Sequence, residues 1–213
     1  MSIIAVLDYG SSNLRSVAKA LEHVAENQHQ IIVSDQPERI LAAERIVFPG
    51  QGAIGQCMTS LNEKGLDEVI KECIREKPFL GICLGLQSLM DSSDEDGGIQ
   101  CLNIFPGKVI RFQDNIKDEK GDIYKIPHMG WNNVHQKSAH PLWHGIETGT
   151  RFYFVHSYYV QPERMTDIAA LTDYVVQFTS AIAADNIFAV QFHPEKSQMA
   201  GLMLLKNFLA WTP

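Results

Sequence analysis

The sequence predicts an α/β fold: a mostly parallel central sheet flanked by helices, with additional antiparallel strands in the second half. Two observations carry this. From the N-terminus to Cys83, short apolar runs alternate with amphipathic helical patterns in the order β-α-β-α-β, which is how a parallel sheet is built. After about residue 92 the apolar runs crowd together with few helical stretches between them, as antiparallel strands do.

Each element has its own signal. Ile3–Leu7 is an apolar strand. Asn13 suits a helix N-cap, and Leu14, Val17, Ala18, Leu21, Val24 and Ala25 recur on one helical face. Gln30–Val33 reads as a short strand. Pro37–Leu41 opens a helix, since proline fits the first turn. Arg45–Phe48 is a strand running into Pro49-Gly50-Gln51-Gly52-Ala53. Leu66, Val69, Ile70, Cys73 and Ile74 repeat the helical face, Pro78 ends that helix, and Phe79–Ile82 returns to strand. A helical pattern follows through Leu84, Leu86, Leu89 and Met90. The run from Asp91 to Gly98 reads as an acidic loop. Strands are expected at 107–112, 123–126, 150–160, 167–171, 175–183 and 187–192, and Met199–Trp211 as a packed closing helix. No repeat, low-complexity tract or linker divides the chain, so residues 1–213 are expected to form one domain.

Composition narrows the function. The 213 residues carry a formal net charge of −7, which argues against non-specific nucleic-acid binding, a task for a basic face. No apolar run approaches the roughly 18 residues of a membrane span. The opening Met-Ser-Ile-Ile-Ala-Val-Leu-Asp lacks the basic start of a signal peptide. A cytoplasmic protein is expected, with neither nucleic acid nor membrane as partner. The cysteines at 57, 73, 83 and 101 include no Cys-x-x-Cys pair, so free thiols are expected in place of a zinc ribbon or disulfide scaffold.

Cys83 stands apart from the other three. Phe79-Leu80-Gly81-Ile82-Cys83-Leu84-Gly85-Leu86-Gln87 runs a strand into Gly-x-Cys-x-Gly and leaves as a helix. Such a strand–turn–helix crowds the backbone around a nucleophile, and small residues at Gly81 and Gly85 relieve the crowding. The turn puts Cys83 at a helix N-terminus, where thiolate is favoured, and lets the Leu84 N–H face an oxyanion. A thiol nucleophile needs a base. His23 and His29 lie on or just beyond the first helix and read as solvated. His135, His140 and His144 lie in a polar segment with Pro141 and have no metal-ligand spacing. His193 ends an apolar strand and precedes Pro194-Glu195. Alternation along a strand puts His193 and Glu195 on one side, where Glu195 can orient the imidazole. The Gly50-Gln51-Gly52 turn can supply a second oxyanion donor or be a plain turn. It lacks the Lys-Ser/Thr ending of a phosphate-binding loop.

Gly81-Ile-Cys83-Leu-Gly85-Leu-Gln87, followed 110 residues after the cysteine by Phe192-His193-Pro194-Glu195, resembles the class I (triad) glutamine amidotransferases. Leu7-Asp8-Tyr9-Gly10 with Asn13-Leu14, Pro127-His128-Met129-Gly130-Trp131-Asn132, Phe152–Tyr158 and Gln191–Ser197 are similar to the glutaminase subunits of imidazole glycerol phosphate synthases, from residue 3 to about 209. Gln51 is a departure, because many members carry a smaller apolar residue there. The resemblance implies L-glutamine as substrate, catalysis by Cys83, His193 and Glu195, and an oxyanion held by Leu84 and the Gly50–Gln51 turn beside Gly52. It also implies that Gln87, Ser157 and Tyr158 hold glutamine, with no cofactor and no metal. No length is left for a synthase domain, so the ammonia acceptor site falls to a partner. The resemblance makes that partner a (βα)8-barrel cyclase subunit, in a heterodimer that makes imidazole glycerol phosphate and aminoimidazole carboxamide ribonucleotide for histidine biosynthesis. Asn13, Met129, Gly130, Trp131 and Lys196 are then expected to face it. The alternatives are a glutaminase serving a different synthase, an independent γ-glutamyl hydrolase, and an inactive regulatory subunit.

Overall fold

Strands buried on both faces read as unbroken apolar runs, and the first half of the chain is built that way. The computed structural model describes residues 2–117 and 121–213. Strands β1 (Ser2–Leu7), β2 (His29–Ser34), β3 (Arg45–Gly50) and β4 (Phe79–Cys83) alternate with helices α1 (Leu14–Ala25), α2 (Pro37–Leu41), α3 (Ile54–Glu63) and α4 (Leu66–Ile74). Successive residues of β1 feed two different cores. Ile4 and Val6 pack with α1 on one face, and Ala5 and Leu7 pack with α3 and α4 on the other. Val47 against Ile46 and Phe48 repeats this alternation in β3. Each such side chain, fully buried, stabilises the fold by roughly 1.5–3 kcal/mol.

The elbow after β4 leads into α5 (Leu84–Gln87), a single turn. It was expected to run to Met90, but the chain turns back into a strand there. Short strand β5 (Met90–Ser93) takes up the start of the expected acidic loop, and β6 (Ile99–Gln100) follows it. Next come β7 (Phe105–Arg111), β8 (His128–Gln136), β9 (Thr150–His156), β10 (Tyr158–Pro162), β11 (Ile168–Asp173), β12 (Gln177–Ala184) and β13 (Ile187–Val190), and α6 (Gln198–Ala210) closes the chain.

One sheet runs in the order β2-β1-β3-β4-β13-β12-β10-β7-β5-β6, with β11, β8 and β9 branching from β12. The pairs from β2 to β13 are parallel, and those of β12 with its neighbours are antiparallel. This is the predicted class. The register pairs Gly50 with Cys83 and Val190 with Ile82. The carboxyl ends of three neighbouring parallel strands therefore meet, the usual place for a site in an open α/β sheet.

Three expectations change. Residues 123–126 form no strand, only an isolated bridge between Ile123 and Lys117. The expected strand 150–160 breaks at Ser157 into β9, which pairs with β8, and β10, which pairs with β7. Strand β8 was not expected, because its inward positions include His128 and Asn132, which interrupt the apolar alternation.

Candidate active site

Cys83 has φ 54° and ψ −103°, a backbone that non-glycine residues rarely adopt. The surroundings enforce it. A β-carbon at Gly85 would collide with the Phe48 carbonyl, and one at Gly81 would come 2.9 Å from Ala189 Cβ. The elbow glycines were expected to relieve crowding within the turn itself, but the nearest obstacles are the adjacent strands β3 and β13. The helix behind the elbow is only one turn, however, so little macrodipole acts on the thiol.

The imidazole takes over that electrostatic role. His193 lies 1% exposed beyond the end of β13. Its Nδ1 bonds Glu195 Oε1 at 2.9 Å, and the Glu195 side chain is fully buried. Strand alternation does not produce this contact. Pro194–Lys196 form a 3-10 turn that swings Glu195 back beneath the ring. His193 Nε2 makes no hydrogen bond of standard geometry, yet it lies close enough to Cys83 for the two groups to couple. Burial pulls the imidazole midpoint down, but Cys83 and then Glu195 outweigh it and push it up to about 10. Between Glu195 and Cys83 the buried ring thus favours its protonated form. By contrast, burial pushes the Cys57 thiol up to about 11 and that of Cys101 to about 12, and it raises Cys73 as well.

A cavity of about 540 Å³ opens over the thiol. Gln51, Gly52, Leu84, Gln87, Ser157 and Tyr158 all line it, as does Lys196. Gly50 does not, being packed between Tyr9 and Leu84 where a side chain has no room. Gln87 is largely committed to protein: its Nε2 donates to the Tyr158 carbonyl at 2.9 Å and to Gln191 Oε1 at 3.1 Å. Gln191 in turn donates to Cys83 Sγ at 3.6 Å.

Two residues take roles that the sequence did not suggest. Asn13 caps no helix with its side chain. Its Nδ2 donates at 2.5 Å to Glu195 Oε1, the same oxygen that meets His193. Glu95, within the supposed acidic loop, accepts the Ile54 N–H at 3.0 Å and is the one carboxylate lining the cavity among the described residues. Only contacts across 182 and 41 positions of chain reveal them.

Of the residues expected to meet a partner, Met129 is 61% and Trp131 36% exposed, side by side on β8. Gly130 between them holds φ 137°, and Lys196 lies 6.0 Å over the Tyr153 ring. The supposedly solvated His29 instead contacts Ser2 Oγ. His140 is half-buried against Phe188 and Trp211, and its Nδ1 accepts the Leu142 N–H.

Fold and site together define an α/β protein with a cysteine nucleophile elbow beside a buried imidazole–carboxylate pair. Residues 5–211 match the family Glutamine amidotransferase class-I. The imidazole glycerol phosphate synthase subunit HisH of Thiobacillus denitrificans is 56% identical over 99% of this chain and 92% of its own length. That of Nitrosomonas europaea is 56% identical over the whole of both chains. Among solved structures, a glutamine amidotransferase from Thermotoga maritima superposes with a TM-score of 0.64 at 16% identity, covering 91% of this chain and 76% of its own. Another glutamine amidotransferase gives 0.71 at 14% identity over 97% of each chain. The chain belongs to the class I glutamine amidotransferases, in the family of imidazole glycerol phosphate synthase subunits HisH, and its place is in histidine biosynthesis.

Proposed function

We propose that the single domain hydrolyses L-glutamine through a Cys83–His193–Glu195 triad and passes the ammonia to a (βα)8-barrel cyclase partner. The observation that carries this is the buried His193–Glu195 contact at 2.9 Å with Nε2 left for Cys83. The Cys83 thiolate attacks the side-chain amide carbon. The Leu84 N–H and the Gln51–Gly52 backbone donate to the resulting oxyanion. His193 gives its Nε2 proton to the departing nitrogen, so ammonia leaves and a glutamyl thioester remains. His193 then takes a proton from water, which attacks the thioester and releases glutamate. Glu195 holds the ring and its charge throughout, with Asn13 steadying the carboxylate. Glu95 is the acceptor suited to the substrate ammonium. Free ammonia is protonated in neutral water and loses its nucleophilicity, so a sheltered acceptor must lie next to the site. The exposed Met129 and Trp131 beside the cavity are the surface we assign to that contact, with Gly130 and Lys196. The setting is the cytoplasm.

The test is glutamate release from L-glutamine by the pure chain, alone and with a cyclase subunit and its nucleotide ligand. Low release alone and a sharp rise in the complex is the expected result. High release alone, unchanged by the cyclase, would favour an independent hydrolase.

A further inference from the structure

Two histidines outside the triad are buried, His128 on β8 and His156 at the end of β9, and His156 lines the cavity. Their surroundings are aromatic. His128 stacks between Tyr174 and Phe154 at centroid separations of 3.9 and 4.9 Å. His156 packs on Phe178 at 5.1 Å and Phe112 at 5.3 Å. Rings so placed depend on a few polar contacts, because an unpaired buried nitrogen is costly.

Those contacts settle every proton. His156 Nδ1 lies 2.8 Å from the Tyr158 carbonyl. A carbonyl only accepts, so Nδ1 carries the hydrogen. Burial, with lesser help from His128 and His193, pushes His156 down to about 3, so its Nε2 is bare at neutral pH and must accept. Its partner there is His128 Nδ1 at 2.9 Å, which therefore donates. His128, pushed by burial down to about 4, is neutral too, and its Nε2 accepts from Asn132 Nδ2 at 3.3 Å. Asn132 also donates to the Asp173 carbonyl at 2.8 Å. One backbone carbonyl thus sets the tautomer of two rings, both Nδ1–H.

The same carbonyl receives Gln87 Nε2 at 2.9 Å, so both its lone pairs are used. Gln87 continues to Gln191, and Gln191 to the Cys83 sulfur. The residue held in this way, Tyr158, follows the break at Ser157 between β9 and β10, where the chain leaves one pairing partner for another. Ser157 and Tyr158 both line the cavity.

We propose that His156 and His128 are positioning residues: a neutral, single-tautomer relay from Asn132 that holds the Tyr158 carbonyl and with it the Ser157–Tyr158 wall against which glutamine binds. This rests on the glutaminase reading. The relay touches neither the scissile amide nor the triad proton, so it acts on substrate binding and leaves the chemical step alone. It also ties β8, which carries the exposed Met129 and Trp131, to the substrate wall by side-chain bonds.

The experiment has two parts. Nitrogen-15 NMR of the labelled chain at pH 7.5 reads the tautomers directly. Both rings are expected with Nδ1 protonated and Nε2 bare; an Nε2–H or doubly protonated form of either would overturn the relay. Glutamine affinity is then measured by calorimetry in the Cys83→Ala chain, where no turnover occurs. Adding His156→Leu removes the donor to Tyr158 and is expected to weaken binding roughly tenfold, the scale of one lost hydrogen bond. Adding His156→Asn keeps an amide donor near the Nδ1 position and is expected to restore affinity to within about threefold of the parent on the same scale. In the otherwise native chain, His156→Leu is expected to raise KM with kcat nearly unchanged, and His156→Asn to bring KM back toward the parent value. Affinity equal in all three chains would overturn the relay alone, as would equal weakening by both substitutions. Failure of the parent Cys83→Ala chain to bind glutamine would overturn the glutaminase reading on which the relay depends.

Discussion

Two buried histidine contacts lie within electrostatic reach of each other, and they titrate in opposite directions. His193 is pushed up to about 10, while His128 and His156 are pushed down to about 4 and 3. Burial acts on all three in the same sense, disfavouring the charged ring. The difference is the company each keeps. His193 has the Glu195 carboxylate on one side and Cys83 on the other. The His128–His156 pair has a carbonyl, an amide and aromatic faces. One region is built to hold a proton that moves, and the other to hold hydrogens that do not.

The largest effect expected from breaking this contrast comes at the thiol. Cys83→Ala should reduce glutamate release about 10⁴-fold or more, as removal of a nucleophile does, with the fold intact by circular dichroism. It should also lower the His193 midpoint from about 10, since Cys83 is the leading cause of the rise. An NMR titration of the ring checks this. Next is Glu195→Gln, which leaves the shape of the site but removes its buried negative charge. Up to about 10⁴-fold is expected in kcat, the loss seen when the orienting carboxylate of a triad becomes an amide, and the His193 midpoint should again fall. Glu95→Gln lies outside the comparison and sharpens it. It should raise KM for glutamine about tenfold by removing a charge-assisted contact, with kcat nearly unchanged in steady-state assays.

The smallest effect is on stability. The folded midpoints of His128 and His156 lie below the ordinary 6.5. Above about pH 6.5 neither folded nor unfolded chain protonates these rings, and stability is complete. As pH falls from 6.5 through 4, the unfolded chain takes up protons first, and stability is lost by an amount on the order of a few kcal/mol. Replacing both by Asn should flatten that loss in urea unfolding at pH 7.5 and 5. An unchanged slope would show that other groups cause it.

The legible parts of the molecule were those whose signal is local. The apolar runs of β1, β3 and β4 and the face of α1 could be read because strand and helix periods are short. The Gly-x-Cys-x-Gly pattern could be read too, although the atoms that demand its glycines, Phe48 O and Ala189 Cβ, come from neighbouring strands. Helix α3 was not expected: its buried Ile54, Cys57, Met58 and Leu61 keep helical spacing, but they follow directly on a glycine-rich turn with no helix-start signal. Strand β8 was missed because polar side chains occupy inward positions and satisfy one another across the core.

Residue type and order alone were enough to establish the α/β class and to single out Cys83, His193 and Glu195 as candidates, because each signal rests on a few neighbouring residues. What waited on the folded chain was every partnership across distance. Asn13 turns from a helix cap to a brace for Glu195, Glu95 moves from a solvated loop to the cavity wall, and Tyr158 dictates the tautomers of two histidines. The reason is physical. A buried polar atom takes whichever partner the packing brings within about 3 Å, and that choice is made only when distant strands meet.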